Sequence, residues 1–308
     1  MKRIFIAFMA TVTLMSCSKN DNNAPIQESA FVKKITETYP NSNKSTVTVY
    51  DIQKGKILSF TRTKYQAGVQ TGTAKVTKIE YDGNRIKQMK GGEATSSEYQ
   101  ITDYHYDGQG HLVKQTSVRP NEINAGAFTV EYNYDGGRVT KVTSFYPTTT
   151  YIKGEEKRVN RYEEQELVYS GNTITVNETE TYRDGNGQVV SGTDTHTDTT
   201  VYTFSNGNIM KKVEKNQTTE YKYDTNTNPM ALHQFIKVIN PTYFLESSFG
   251  KNNLIETVQT YTYGGRVEVT TYTQELTYND KGYPIMNKEY RQRDSEVKKL
   301  ISITEYEY

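Results

Sequence analysis

The chain has 308 residues, a formal net charge of +1, 34% hydrophobic residues, 26 Tyr, no Trp and one Cys, with a mean hydropathy of −0.78. A balance this close to neutral lacks the basic excess that phosphate backbones require, so no nucleic-acid partner is expected. A single Cys excludes an internal disulfide framework and a thiolate zinc site, and the polarity excludes a helical membrane protein beyond the first residues.

Met1-Lys2-Arg3 precedes the apolar run from Ile4 to Leu14, the charged and apolar regions of a secretory signal peptide. The run is shorter than the roughly 20 residues a spanning helix needs. It ends in Leu14-Met15-Ser16-Cys17, which resembles the bacterial lipobox. That resemblance implies cleavage after residue 16 and a lipid on the Cys17 thiol, so the membrane is an expected partner through Cys17. The alternative is an ordinary signal peptide with an incidental Cys, but the only Cys of the chain stands where the lipid would go. Ser18 is similar to residues that sort lipoproteins to the outer membrane. Lys19-Asn20-Asp21 is similar to a diluted form of the charged tag of Bacteroides-type surface lipoproteins. The expected location is the outer membrane, lipid-anchored, on its cell-surface or periplasmic face. The organisation read from the chain is a signal peptide over 1–16, a solvated tether over 17–28 and one β domain over 29–308.

From about Ser45 the chain alternates. Phe128, Val130, Tyr132 and Tyr134 share one face, with Thr129, Glu131 and Asn133 on the other; Ile174, Val176 and Tyr182 oppose Thr173, Thr175, Asn177, Thr179 and Thr181. Period two means half-buried strands, and Thr and Tyr suit a pleated surface. Asp82-Gly83, Asp107-Gly108 and Asp135-Gly136 each follow a Tyr and supply the positive φ of tight hairpins. Tyr169-Ser170-Gly171-Asn172, Phe204-Ser205-Asn206-Gly207 and Tyr278-Asn279-Asp280-Lys281-Gly282 vary the theme, and Arg85-Ile86, Leu112-Val113 and Arg138-Val139 reopen strands. Hairpins in sequence order predict an antiparallel meander. Arg158 to Tyr169 and Arg266 to Tyr278 read as strands of about 40 Å. Open sheets of such strands expose long edges, so the expected fold is all-β, a long-stranded meander rolled into a barrel or half-barrel. The inside is expected to be apolar.

One segment departs from the alternation. Asn228 can cap, Pro229 suits the first helical position, and Leu232, Phe235, Ile236 and Ile239 recur at helical spacing, so a short helix is predicted near residues 229–239. Phe31, Val32 and Ile35 fit either a helical turn or a first strand.

The unit Tyr104-His105-Tyr106-Asp107-Gly108-Gln109-Gly110-His111-Leu112 resembles the YD repeat of RHS-type β-proteins, although the spacing of the units here is irregular. A second resemblance is carried by the YD hairpins, then Tyr223-Asp224, Asn228-Pro229-Met230 and Ser247-Ser248-Phe249-Gly250-Lys251-Asn252-Asn253, with Tyr-rich strands following. In this order they are similar to a family of Bacteroides-type lipoproteins with a domain of unknown function described as porin-like in fold. The resemblance covers about Ile57 to Tyr308. It implies a fold and an envelope location, and no catalytic residue.

Several constellations carry residue types that could support chemistry. Asp194, His196 and Asp198 alternate and would share a strand face; Asp103, His105, Asp107 and His111 cluster at one hairpin, where Asp107 already has a turn role. Glu163, Glu164, Glu166, Glu178 and Glu180 could supply a carboxylate pair for acid–base work. No nucleophile elbow, phosphate loop or His-Glu-x-x-His motif is present, and no metal or cofactor is expected. Asp198-Thr199-Thr200 resembles a short bacterial O-glycosylation pattern. The Tyr residues either fill the inner face of the sheet or stack on sugars. The reading is an outer-membrane-anchored, non-catalytic β scaffold or binding module for a glycan or peptide. The alternatives are an envelope polysaccharide hydrolase using a carboxylate pair and a subunit of an envelope complex.

Overall fold

The computed structural model describes residues 31–94, 99–119, 127–152, 154–193, 195–232, 237 and 239–308. The signal peptide, Cys17, the tether, Asp194, Phe235 and Ile236 lie outside the described residues.

The strands are β1 Lys34–Tyr39, β2 Lys44–Gln53, β3 Lys56–Gln66, β4 Val69–Gln70, β5 Lys75–Asp82, β6 Arg85–Glu93, β7 Tyr99–Tyr106, β8 Leu112–Val118, β9 Phe128–Asp135 and β10 Arg138–Ile152. They continue as β11 Glu155–Ser170, β12 Thr173–Arg183, β13 His196–Ser205, β14 Asn208–Glu214, β15 Gln217–Thr227, β16 Asn252–Tyr263, β17 Arg266–Tyr278, β18 Pro284–Arg293 and β19 Lys299–Glu307. β4 is a two-residue pairing beside β3, which goes on to pair with β5. Every other strand pairs antiparallel with its sequence neighbours, and β19 returns to β1 from Lys34↔Glu307 to Thr38↔Ile303. The result is a closed barrel of 18 strands. An all-antiparallel ring closes only on an even number, and closure removes the edges that so many long strands would otherwise expose. The two long strands read from the sequence are β11, slightly extended at both ends, and β17. Ile35 lies on β1, so the ambiguous segment supplies the closing strand, with Phe31 and Val32 buried just ahead of it.

The hairpins sort into two ends. Lys54-Gly55, Gly83, Gly108, Gly136-Gly137, Gly171, Asn206-Gly207 and Gly282 all turn at one end, where β1 begins and β19 finishes. This turn end carries the core: Ile57, Ile86, Leu112, Val139, Leu167 and Ile174 are buried there, each within a few residues of its turn. Side chains cannot fill the ring alone. Eighteen strands at about 4.8 Å make a belt of about 86 Å, about 27 Å across before tilt is counted.

The 228–251 connection between β15 and β16 supplies the missing filling. It carries helix α1 (Pro229–Leu232) and two short 3-10 turns, Tyr243–Leu245 and Ser247–Phe249. Asn228 caps α1, its Oδ1 accepting the Met230 N–H at 3.0 Å, and Pro229 is fully buried. Helical geometry recurs at residues 237 and 239, as the predicted segment requires. Ile239, Phe244 and Leu245 pack on the core. Gln115 on β8, nearly across the ring from β15, donates to the Ile239 carbonyl at 2.6 Å, and Phe204 on β13 rests against Phe244, centroids 6.5 Å apart. The insert therefore reaches over the interior and plugs the turn end.

Its root is a polar latch. Asp224 accepts the Asn253 backbone N–H and side-chain amide, both at 3.0 Å, the Asn226 N–H at 3.0 Å and the Tyr278 hydroxyl. Asn228 donates to the carbonyls of Ser248 and Gly250, and Asn208 and Asn252 bond each other reciprocally. Asn208, Asn228 and Asn253 are buried, and burial is affordable only because these amides are matched.

The Tyr residues of the turn motifs knit neighbouring hairpins. The hydroxyls of Tyr81, Tyr106, Tyr134, Tyr169 and Tyr308 donate to the carbonyls of Ile57, Ile86, Leu112, Val139 and Pro284, at 2.8, 2.9, 2.8, 2.8 and 2.8 Å. In each case the acceptor opens the strand that follows the preceding turn, as its first residue (Leu112, Pro284) or its second (Ile57, Ile86, Val139). The residue just before that acceptor covers the ring: Lys56, Arg85 and Arg138 lie 5.2, 5.5 and 5.5 Å from the centroids of Tyr81, Tyr106 and Tyr169. His111 stacks on Tyr134 at 4.7 Å and Tyr283 on Tyr308 at 5.5 Å. The motif Tyr-Asp-Gly-x-(basic)-(aliphatic), as in Tyr81 to Ile86 and Tyr134 to Val139, thus encodes a lateral stitch as well as a turn. These rings fill the inner face at the turn end.

Candidate functional site

Strand alternation assigns every side chain to the inner or outer wall. Beyond the apolar turn end, the inner wall turns polar, which corrects the expectation of an apolar inside throughout. β12 shows the change within one strand: Ile174 and Val176 are buried, and the next inward positions are Glu178, Glu180 and Tyr182.

The densest inner cluster lies where β10, β11 and β12 meet. Registers Tyr146↔Arg161, Arg161↔Tyr182, Glu163↔Glu180 and Gln165↔Glu178 set it out. Arg161 donates to the Tyr146 hydroxyl at 2.6 Å and to Glu180 at 2.6 Å, and it contacts Glu163 at 2.8 Å; Gln165 donates to Glu178 at 2.9 Å. Burial works to raise the Glu180 carboxyl, but hydrogen bonds from Tyr182 and Arg161 outweigh it and hold the group below the ordinary carboxylate range. The Arg161 guanidinium, partly desolvated, is held charged by Glu180 and Glu163.

This arrangement answers the carboxylate question. Of the five Glu residues singled out, Glu163, Glu178 and Glu180 face inward, whereas Glu164 and Glu166 face outward, where Lys141 takes Glu164 at 2.9 Å. Glu163 and Glu180 are brought together, yet one guanidinium contacts both and helps hold Glu180 below the ordinary carboxylate range. A general acid needs the opposite, a carboxyl kept protonated.

His196 and Asp198 face the same interior, opposite Glu180 and Glu178. Among the described residues no group of three or more His, Cys, Asp or Glu could hold a metal ion. The other His cluster is split by the pleat. Asp103 and His105 point outward beside buried Tyr104, while Asp107 accepts the Gln109 and His111 backbone N–H groups at 2.9 and 2.8 Å and meets His111 Nδ1 at 3.0 Å. Asp107 is a turn residue, as are Asp82 and Asp135 with Gly83, Gly108 and Gly136, but the positive φ expected at Gly108 falls on Gly110 instead, because this turn is longer than those at Gly83 and Gly136. Thr199, on the outer wall, is exposed and donates to Asn177 at 3.1 Å.

Sequence reasoning did not single out Arg161, Tyr146 or Tyr182, nor the inner pair Glu37 and Glu289. Burial lifts the Glu289 carboxyl above its ordinary value, the Ser302 hydroxyl opposes this at 3.1 Å, and Glu37 adds to it. Glu37 also acts on Tyr39, whose hydroxyl is pushed up to about 12, chiefly by its hydrogen bond to that carboxylate. No local pattern marks them: Arg161, Tyr146 and Tyr182 meet through the registers of β10, β11 and β12, and Glu37 and Glu289 only through barrel closure.

The outer wall has a different character. Lys34–Glu307, Lys87–Glu80, Lys114–Glu131, Lys141–Glu164, Lys211–Glu220 and Lys222–Glu256 form cross-strand ion pairs of 2.7, 2.8, 2.8, 2.9, 3.3 and 2.7 Å, spread around the ring. Each lies on the face opposite the core residues. A lysine on a lipid-facing strand costs about 2–4 kcal/mol at the bilayer midplane, so such a wall suits water.

No family model matches the sequence, and no curated protein matches it either. Among solved structures, the chain is similar to a porin-like protein from Bacteroides uniformis, with a TM-score of 0.44 and 11% identity over 90% of this chain and 96% of that one. It is similar to a porin-like protein from Bacteroides vulgatus at 0.42 and 14%, over 90% and 98%. A third likeness, to the TcdB2-TccC3 structure, has a TM-score of 0.34 and 10% identity and spans 86% of this chain but 16% of that one. Overlaps of this size carry no functional argument.

Proposed function

We propose that the protein is a lipid-anchored envelope barrel that stands in water, a non-catalytic scaffold whose polar interior holds an extended ligand, and not a channel through the membrane. The observation that carries the reading is the ring of ion pairs on the outer wall, together with the apolar plug across one end. A channel needs the reverse of both, an apolar outside and an unblocked axis. The lipid on Cys17 supplies the membrane attachment that this wall does not.

The reading also orients the molecule. The chain enters the barrel at the turn end, through buried Phe31 and Val32. Fourteen residues from Cys17 to Phe31 reach at most about 50 Å when fully extended. The plugged end then faces the anchoring leaflet and the polar end points away from it.

The test is fractionation of cells making the native chain and Cys17→Ser, with palmitate labelling. The expected result is a labelled, membrane-bound native protein and an unlabelled variant that is folded and released without detergent. A Cys17→Ser protein that stays in the membrane through a urea wash after protease removal of its leader and tether would overturn the reading, because the barrel wall itself would then be inserted.

A further inference from the structure

The inner wall at the polar end holds a cavity of about 510 Å³ over β5 to β8, within the range of small-ligand sites. Its floor is Met89, which accepts the hydroxyl of buried Tyr104 at 3.0 Å. Its depth comes from Gly91. A glycine inside a strand weakens it, and such positions mark bends or the close approach of a ligand. Gly91 sits in regular pairing between Thr77 and Gln100, and its backbone lies outside the left-handed region, so no turn or positive φ requires it there. A Cβ at this position would stand 3.0 Å from Thr77 Oγ1, so the Thr77 side chain lies close against the glycine on the wall of the hollow. Glycine here lets Thr77 lie flat against the strand, and a larger side chain would displace it into the hollow.

Around that space the chemistry is polar and net positive. Lys75 and Arg119 bring two cations and Glu93 one carboxylate, while Gln100 and Thr102 offer both donors and acceptors. Hydroxyl-rich rings use such mixed donors and acceptors, and an acid group on them uses the cations. A peptide backbone has nothing to extend here, because the closed ring offers no strand edge for main-chain addition.

We propose that this hollow is a binding site for an acidic oligosaccharide, with Lys75 and Arg119 taking its carboxylate and the Gly91 depression receiving a sugar ring. The site belongs to the barrel wall and stands whether or not Cys17 carries a lipid, so its failure and that of the anchoring are separate outcomes.

Calorimetric titration of the purified protein with trigalacturonate, an alginate trimer and sialyllactose, against neutral maltotriose, tests it. At least one acidic chain binds and maltotriose does not; Lys75→Gln weakens that binding about tenfold or more, and Gly91→Val abolishes it. Lys75→Gln leaves the wall's backbone alone and carries the test if Gly91→Val fails to fold. Unchanged affinity in Lys75→Gln, equal binding of maltotriose, or no heat with any of the three acidic chains would overturn the proposal.

Discussion

The stitch between hairpins makes a quantitative claim about the hydroxyl of each turn Tyr. Tyr106→Phe keeps the ring under Arg85 and deletes only the bond to the Ile86 carbonyl. A net hydrogen bond of this type contributes about 1 kcal/mol. In a barrel of this size that lowers the melting temperature by about 2–4 °C. Tyr106→Ala also removes the ring from a partly buried site and should cost about 3 kcal/mol, the low end for large aromatic truncations. Tyr81, Tyr106, Tyr134 and Tyr169 repeat one geometry, so the fourfold Phe variant should lose about 4 kcal/mol, less any coupling between adjacent stitches. The highly exposed Tyr151 is the control, and Tyr151→Phe should change nothing. Urea midpoints at pH 7.5 measure all of these, with m-values checking that the unfolded state is the same. If Tyr106→Phe leaves the midpoint where it was while Tyr106→Ala lowers it, the hydroxyl does not stitch. The repetition of Tyr in the motif would then need another cause. Phe204 shows how the chain manages one hairpin without a hydroxyl: its ring lies against Phe244 of the plug instead.

Three further outcomes follow from named groups. Burial pushes the hydroxyls of Tyr132 and Tyr306 up to about 12, above the value of about 10 they have in the unfolded chain. Their contribution is whole below pH 10 and is lost as pH rises towards 12. By linkage each should lose about 1.4 kcal/mol by pH 11, and alkaline unfolding followed by Tyr absorbance near 295 nm should show it, with Tyr132→Phe flattening the dependence. Asp224→Ala leaves the buried Asn253 amide without its acceptor and should cost about 2–4 kcal/mol; limited proteolysis should then cut within 228–251 in the variant and not in the native protein. Arg161→Met removes the cation that faces Glu163 and Glu180 but keeps the Tyr182 hydrogen bond, so the Glu180 carboxyl should rise towards its ordinary value. In the native protein its contribution is present at neutral pH and fades as pH falls through the acid range. The variant should lose less stability than the native protein over the same pH range, as read from acid unfolding curves.

How far the sequence discloses this molecule depends on the range of the interaction behind each feature. The hairpins were legible because a turn and its flanking strands are local: Asp107-Gly108 needs only its own neighbours, and the alternation along Phe128 to Tyr134 faces the core without reference to any other strand. A rolled sheet also followed, since strands as long as Arg266 to Tyr278 make open edges untenable. Closure itself was not legible, because the pairing of Ile35 with Tyr306 joins the two ends of the domain and neither segment carries a mark of the other. The inner polar wall was hidden for a related reason. Thr175, Asn177 and Thr179 look no more and no less lumenal than Glu178 and Glu180, since both faces of β12 turn polar away from the plug. Only the register with Arg161, fixed by the hairpin at Gly171, shows which carboxylates face each other. The plug lies between these cases. Asn228-Pro229 announces a helix start locally, but the amides that hold its root, Asn208 and Asn253, belong to other hairpins. What looked in the sequence like an ordered string of weak motifs, from Tyr223-Asp224 to Asn252-Asn253, is physically one hydrogen-bonded knot. Its parts are weak singly because each satisfies a partner far along the chain.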